Sequence, residues 1–211
     1  MRLAARLAAI LAAGLCWGSI AMAAADPAKL KISSTSKEGV ILFRAPVLPA
    51  GYHLDFRREN GGGWSGYEPV FVDHRLGAAG PRFIAIKVKP GRWTLTGLSQ
   101  QLRWSVCYWK DAPSFEVRAG HITYAGEWDG EQALARLREI VVRRGHTVSQ
   151  GRQYFWYWED GRPPLLRGAD DPALRGEAEA FARANMPGAA LPFADPRVAT
   201  VQRAPRPGTR C

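Results

Sequence analysis

The chain has 211 residues, of which 46% are hydrophobic and 23% charged. This composition excludes an intrinsically disordered or low-complexity polypeptide, and the length suffices for one or two domains with a buried core. Lys and Arg outnumber Asp and Glu by 29 to 19, but the basic residues are spread along both halves of the chain. A nucleic-acid-binding protein would concentrate them on one segment or face, so we expect no nucleic-acid partner.

Residues 1–25 have the pattern of a cleaved signal peptide. Arg2 and Arg6 form a short basic start, and an uncharged stretch rich in Ala and Leu follows. We therefore expect an exported protein, periplasmic or secreted, whose mature chain has no transmembrane segment. An uncleaved membrane anchor is less favoured because the stretch is weakly apolar. A lipid anchor at Cys16 is also less favoured, because the preceding Leu15 is not a small residue.

Two cysteines, Cys107 and Cys211, remain after the signal peptide is removed. An even number of cysteines in an oxidising compartment is typical of disulfide pairing. We predict a bond between them, which would fix the tail to the strand carrying Cys107 and contribute roughly 4–5 kcal/mol on a chain-entropy model. A free terminal thiol and an intermolecular bond are the open alternatives.

Residues 26–128 are predicted to form an antiparallel β-sandwich domain. Apolar and polar residues alternate, and Gly or Pro interrupts them about every ten residues, a spacing typical of sandwiches and small barrels. Ile84, Ile86 and Val88, for example, would share one strand face while Lys87 takes the other. The predicted strands span residues 40–44, 52–57, 67–72, 82–88, 92–97, 102–109, 115–118 and 121–125.

Residues 129–211 are predicted to form an α-helical extension with two helices. The first helix would begin at Asp129 and end at Gly145, with apolar residues at helical spacing between them. The second would have Asp171 as its N-cap, a proline at the first helical position and an end before Pro187. The Pro-rich tail that follows is predicted to be an extended arm laid over the surface.

Residues 154–158 form an aromatic run between the two helices and are predicted to be a strand, with residues 159–161 as a sharp turn after it. On a strand, Tyr154, Trp156 and Trp158 would point to one side. If exposed, these rings could stack on sugar faces or on a partner protein, and they are our candidate binding residues. Burial beneath the C-terminal segment is the alternative interpretation.

Three segments carry a resemblance to a known family. They are residues 88–97 with the Pro90-Gly91 turn, Val106-Cys107-Tyr108, and the hairpin at residues 115–126. They resemble exported proteobacterial β-sandwich proteins of unknown function, which share a Pro-Gly turn, a strand and a Phe-x-Val-x-x-Gly-x-x-x-Tyr-x-Gly hairpin. The resemblance implies a prealbumin-like or carboxypeptidase-regulatory-like sandwich in the cell envelope. It brings no catalytic residues with it.

No residue pattern selects a catalytic or metal site, so we predict a non-catalytic protein without a cofactor. The histidines are scattered without metal-ligand spacing. The nearest approach to a catalytic group is the pair His53 and Asp55, which would share a strand face. Asp73 and His74, which are neighbours in the sequence, are the other two candidates. If the protein is an enzyme, a hydrolase acting on an envelope polymer is the alternative, and these four residues would be its candidates.

The sequence therefore favours a binding or accessory protein of the cell envelope whose partner is a protein or a glycan. Its excess positive charge could attract an anionic envelope surface or could simply maintain solubility. A structural subunit of an envelope complex is a further alternative, which would show a large apolar patch on the isolated chain. The oligomeric state does not follow from the sequence.

Overall fold

The structure is a computed structural model that describes residues 26–45, 52–59, 67–71, 82–100, 104–108, 110–129, 132, 135, 139, 143, 156–161, 166–194 and 198–201. In these residues a short 3-10 helix, Pro27–Lys29, precedes the first strand, and one continuous α-helix, α1, spans Pro172–Asn185. The strands are β1 (Gly39–Ala45), β2 (Tyr52–Arg58), β3 (Tyr67–Phe71), β4 (Arg82–Val88), β5 (Gly91–Gln100), β6 (Trp104–Tyr108), β7 (Ala112–Val117), β8 (Ile122–Trp128), β9 (Trp156–Gly161), β10 (Leu166–Arg167), β11 (Phe193–Ala194) and β12 (Ala199–Val201).

The strands form two sheets, as expected for a mainly β protein. In the first sheet the order is β10-β8-β1-β4, and β11 also pairs with β8. In the second sheet the order is β12-β7-β5-β2-β3, with β6 beside β5 and β9 beside β6. The prediction of purely antiparallel sheets is wrong, because β1 and β11 run parallel to β8 and β9 runs parallel to β6. These parallel partners are far apart in sequence, as parallel pairing requires.

All eight strands predicted between residues 40 and 125 are present. Their ends differ from the prediction where a partner strand extends the ladder. β5 continues to Gln100 because its end pairs with both Tyr52 of β2 and Trp104 of β6. β7 begins at Ala112 because β12 pairs there, opposite Val201.

Both sheets contribute to one hydrophobic cluster. Phe43 of the first sheet and Phe56 of the second have ring centroids 5.7 Å apart, and Phe56 lies 6.2 Å from Phe115. Such aromatic pairs each contribute about 1 kcal/mol beyond the area they bury. The predicted alternation along β4 is confirmed, because this cluster includes Ile84, Ile86 and Val88 while Lys87 is exposed.

A second hydrophobic cluster joins α1 to the other face of the first sheet. Phe83 of β4 stacks against Phe181 of α1 with ring centroids 4.8 Å apart. The buried members of this cluster are Leu30, Ile32, Val40, Leu42, Ala85, Ile122, Tyr124, Ala178, Ala182, Met186 and Ala189. The first sheet is therefore covered on both faces.

α1 lies between β10 and β11 in the sequence, and these two strands pair with opposite ends of β8, so the length of the helix should match that of β8. β10 pairs with Glu127 and Trp128 at one end of β8, and β11 pairs with Ile122 and Thr123 at the other. A helix of 14 residues rises about 21 Å, and the six steps from residue 122 to residue 128 of a strand cover about 20 Å.

As predicted, Asp171 is the N-cap of α1, and its Oδ1 accepts hydrogen bonds from Ala173 N at 2.8 Å and Leu174 N at 3.4 Å.

The C-terminal part differs from the prediction in three respects. One continuous helix is described and not two; for the predicted helix 129–145, only residues 132, 135, 139 and 143 are described as helical. Residues 159–161 belong to β9 rather than to a turn, because β9 stays paired with β6 as far as Gly161, opposite Tyr108. The tail, predicted to be an extended arm, contains two short strands. β11 pairs with β8 of the first sheet, and β12 pairs with β7 of the second.

Residues 1–25, with the predicted signal peptide and Cys16, lie outside the described part of the chain. Within the part that is described, no helix has the length and apolar character that crossing a lipid bilayer requires.

Candidate functional site

A buried polar cluster lies on the face of the second sheet opposite the shared hydrophobic cluster. Along β2, Leu54 and Phe56 point into that hydrophobic cluster, so the alternate residues His53 and Asp55 point away from it. β5 and β7 add hydroxyl groups to the same face. The buried members are His53, Asp55, Thr94, Thr96, Ser99 and Ser114.

Asp55 is the centre of this polar cluster and is only 2% exposed. Its Oδ1 lies 3.3 Å from His53 Nε2, and its Oδ2 accepts a hydrogen bond from Ser99 Oγ. Both carboxylate oxygens are thus engaged, which offsets the cost of removing a carboxyl group from water.

The polar cluster also contains a β-bulge. Asp55 pairs with Gly97 and Phe56 pairs with Leu95, so Thr96 is an extra residue in β5. The Thr96 hydroxyl donates a hydrogen bond of 3.0 Å to the backbone oxygen of Asp55. The side chain of the bulged residue therefore supplies a donor at the point where the ladder is interrupted.

The order of these groups differs from that of a nucleophilic triad. In a serine hydrolase, histidine lies between serine and the carboxylate and accepts the serine proton. Here Asp55 lies between the other two, and the single hydroxyl proton of Ser99 is directed to Asp55 rather than to His53. The arrangement suits a structural network between β2 and β5.

The other two candidates for a hydrolytic site, Asp73 and His74, lie outside the described residues. The sequence did place His53 and Asp55 on one strand face, but it missed Ser99. Ser99 reaches the site because it pairs with His53 across the β2–β5 ladder, and strand pairing has no signal in the local sequence. In the described ranges, no group of three or more His, Cys, Asp or Glu side chains is arranged to hold a metal ion.

The predicted aromatic binding residues lie partly in β9. Trp156 pairs with Trp104 of β6 and Trp158 with Val106, and in the described part of the chain β9 has no strand neighbour other than β6. Tyr154 lies outside the described residues. A binding role for these three residues stays a prediction.

The predicted disulfide also stays a prediction. Cys107 is a buried residue of β6 and pairs with Gly97 of β5. Cys211 lies outside the described residues.

A groove of 510 Å³ lies beside the C-terminal half of α1. Only two of its lining residues are charged, Glu179 and Arg183 of α1, one helical turn apart. Its apolar lining residues are Ile122, Ala182, Met186, Pro187, Ala189, Ala190, Leu191 and Phe193.

Backbone hydrogen bonds hold the walls of this groove in place. Met186 N donates to Ala182 O at 2.9 Å, which closes the last turn of the helix. Ile32 N donates to Gly188 O at 3.0 Å, and Ile122 N donates to Pro192 O at 3.0 Å. The groove was not predicted, because β8, α1 and the segment after α1 form it together and no single sequence segment contains it.

Tyr124 lies beneath α1 and is fully buried. Its hydroxyl has no hydrogen-bond partner among the described residues. Burial, with a smaller contribution from Glu127, raises the pKa of Tyr124 from 10.0 to about 12. Above it, Arg44 Nη1 lies 3.3 Å from Glu177 Oε2 and 3.7 Å from Glu127 Oε2, which links β1 to the helix and to β8.

Comparison of the chain with protein-family models, with curated proteins and with solved structures gives no match. The resemblance to exported β-sandwich proteins therefore stays a prediction.

Asp55→Asn is expected to lower the free energy of unfolding by about 2–3 kcal/mol, because an amide cannot accept with both of its terminal atoms and a buried partner is left unsatisfied. Chemical denaturation measures this change. The matched control is Glu116→Gln at an exposed position of β7, which should stay within about 0.5 kcal/mol of wild type. Equal stability of the two variants would contradict a stabilising role for the network.

Tyr124→Phe is expected to leave stability unchanged or to raise it near neutral pH, because it removes a buried hydroxyl that has no partner among the described residues. The raised pKa means that the folded state keeps the proton more tightly than the unfolded state. The wild-type free energy of unfolding therefore keeps its full value with respect to this group below pH 10 and decreases as the pH rises toward about 12.

The variant should lack this part of the alkaline loss, so its advantage over wild type should grow across that interval. Denaturation curves of both proteins recorded from pH 9 upward provide the measurement. A constant difference between the two proteins at all pH values would contradict the assigned pKa.

Proposed function

We propose that the protein is a non-catalytic, exported binding or accessory protein of the cell envelope. In this proposal the two sheets stack as a prealbumin-like sandwich, and the helix covers the outer face of the first sheet. The contact between Phe43 and Phe56 and the hydrophobic cluster common to both sheets support such stacking. The basic start and apolar stretch of residues 1–25 support export.

The groove beside α1 is the observation that carries the proposal. Binding sites are typically concave, mostly apolar and roughly 300–1,000 Å³ in volume, with a few polar groups that orient the ligand. The groove has a volume of 510 Å³, and eight of its ten lining residues are apolar. Its walls are held by backbone hydrogen bonds, so binding would need little rearrangement of the protein.

The apolar lining favours a partner that presents an apolar group at the groove. Among the lining side chains only Glu179 and Arg183 could hydrogen-bond to sugar hydroxyls, so a glycan would be a poorer match. If the protein also binds a glycan, Trp156 and Trp158 of β9 are the candidate residues, since aromatic rings can stack on sugar faces.

A hydrolase has weaker support. The Ser99 hydroxyl is committed to the Asp55 carboxylate, so His53 does not serve as its base. Both His53 and Asp55 are also buried. A purely structural subunit would be held by a broad apolar patch rather than by a groove.

Export predicts that the protein recovered from the envelope of its host lacks its N-terminal segment, with the cleavage within two residues of position 25. Pairing of Cys107 with Cys211 further predicts a mass two hydrogens lower before reduction than after it. Intact-mass measurement of the purified protein, with and without a reductant, reads out both. Full-length material recovered from the cell interior would contradict the export proposal.

Binding at the groove predicts site-specific cross-linking in the envelope. A photoreactive amino acid at position 190, which lines the groove, should give one dominant adduct that mass spectrometry identifies. The control is the same amino acid at position 116, an exposed site on β7 outside the groove. Equal adduct formation at the two positions, or none at either, would overturn the proposed function.

A further inference from the structure

We infer that the protein binds an anionic lipid bilayer through the end of the molecule at which β1 and β8 begin. Four exposed basic side chains carry this surface, which we call the basic end: Lys31, Lys37, Lys89 and Arg118. None of the four lines the groove beside α1. The inference therefore goes beyond the proposed function, and its test does not involve the groove.

The strand registers bring these residues together. Gly39 of β1 pairs with Val88 of β4, and Gly91 of β5 pairs with Val117 of β7. The β4–β5 and β7–β8 turns therefore lie beside the start of β1. The basic residues at these positions are Lys37 before β1, Lys89 after β4 and Arg118 after β7.

Lys31 lies at the same end, in the segment that leads to β1. Its neighbours Leu30 and Ile32 are buried, and Ile32 N donates a hydrogen bond of 3.0 Å to Gly188 O. The segment that contains Gly188 continues into β11, which pairs with Ile122 at the start of β8.

Hydrogen bonds hold the basic end in shape. Gly120 N donates to Glu38 O at 2.8 Å, which joins the β7–β8 turn to the start of β1. Trp93 Nε1 donates to Lys89 O at 2.9 Å, which fixes the β4–β5 turn. The backbones also approach closely, since a Cβ at Gly120 would collide with Ser34 O. The basic side chains thus extend from a preorganised base, so binding would need little rearrangement.

The acidic side chains near the basic end already have basic neighbours. Glu38 Oε2 lies 3.1 Å from Lys87 Nζ, and Glu59 Oε2 lies 3.7 Å from Arg92 Nε. Glu116 is opposite Arg92 in the β5–β7 ladder. In the described part of the chain, the four side chains of the basic end have no ion pair. Their charge is therefore available to a partner.

The opposite end of the molecule is mainly acidic among the side chains that the structure describes. β8 ends there, and α1 begins there after β10 has paired with Trp128. The charged side chains are Glu127, Asp129, Asp170, Asp171 and Glu177, with Arg44 between two of them. This asymmetry turns the basic end toward a negatively charged surface before contact.

The composition of the basic end favours a bilayer over a single anion. Three of its four side chains are lysines, which are hydrated point charges without the planar fork by which arginine grips one phosphate. All four are exposed and stand on separate segments. Such spread charges match an array of anionic head groups, and each adds about a factor of five to the affinity for an anionic bilayer.

The test measures co-sedimentation of the protein recovered from the envelope of its host with lipid vesicles. The probe is phosphatidylcholine vesicles with or without the anionic lipid phosphatidylglycerol. At about 0.1 M salt, where the Debye length is about 10 Å, we expect binding to the anionic vesicles alone. Raising the salt to about 0.5 M should weaken this binding at least ten-fold, because the charges are exposed to solvent.

Charge-removing variants locate the binding surface. Lys37→Gln and Lys89→Gln should each weaken vesicle binding about five-fold, and the double variant about thirty-fold. The matched control is Lys110→Gln, which removes an exposed lysine that also has no ion pair in the described part of the chain. Lys110 precedes β7 and Arg118 follows it, so a strand of six residues, about 20 Å long, separates Lys110 from the basic end. The control should bind like wild type, and circular dichroism checks that every variant is folded.

The inference is overturned if anionic vesicles do not bind, if neutral vesicles bind equally well, or if Lys37→Gln and Lys89→Gln bind no more weakly than Lys110→Gln. Binding of polyphosphate or duplex DNA without binding of vesicles would also overturn it, since the surface would then serve a soluble polyanion. The cross-linking experiment at position 190 reports on the groove alone, so failure of the proposed function and failure of this inference are distinguishable.

Discussion

Burial of the first sheet on both faces is the constraint on which the rest of the structure depends. Along β1, Ile41 and Phe43 enter the hydrophobic cluster shared with the second sheet, whereas Val40 and Leu42 enter the cluster beneath α1. All four side chains are fully buried. A strand of this kind cannot face water on either side, so it requires both a second sheet and a helix. The parallel pairing of β1 with β8 at the centre of the sheet agrees with this requirement.

The strands were predictable from the sequence because the alternation of apolar and polar residues with a period of two is a local property. The N-cap of α1 was also predictable, because Asp171 and the proline that follows it are adjacent in the sequence. Strand partners were not predictable. Nothing local to β1 indicates that it lies beside β8, and the turn expected at residues 159–161 gave way to pairing with β6. Ser99 and the groove were missed for the same reason, since both depend on residues that meet only in the folded chain.

The polar cluster and the groove have different physical characters. Around Asp55, each described contact engages another group of the second sheet, and the Thr96 hydroxyl holds the bulge between β2 and β5. Such a network fixes the register of two strands, because a slip by one residue would bury the carboxylate without its donors. The groove instead is lined mainly by apolar side chains, and its two charged residues, Glu179 and Arg183, pair with each other.

The contact between the first and last parts of the described chain bears on the order in which the molecule can assemble. Leu30 and Ile32 are buried against Met186 and Ala189, and the Ile32 amide is bonded to Gly188. A polypeptide is synthesised from its N-terminus, so these two apolar residues emerge long before their partners exist. Their contacts with Met186 and Ala189 cannot form before α1 has been made, so these are non-local contacts of the kind that slows folding.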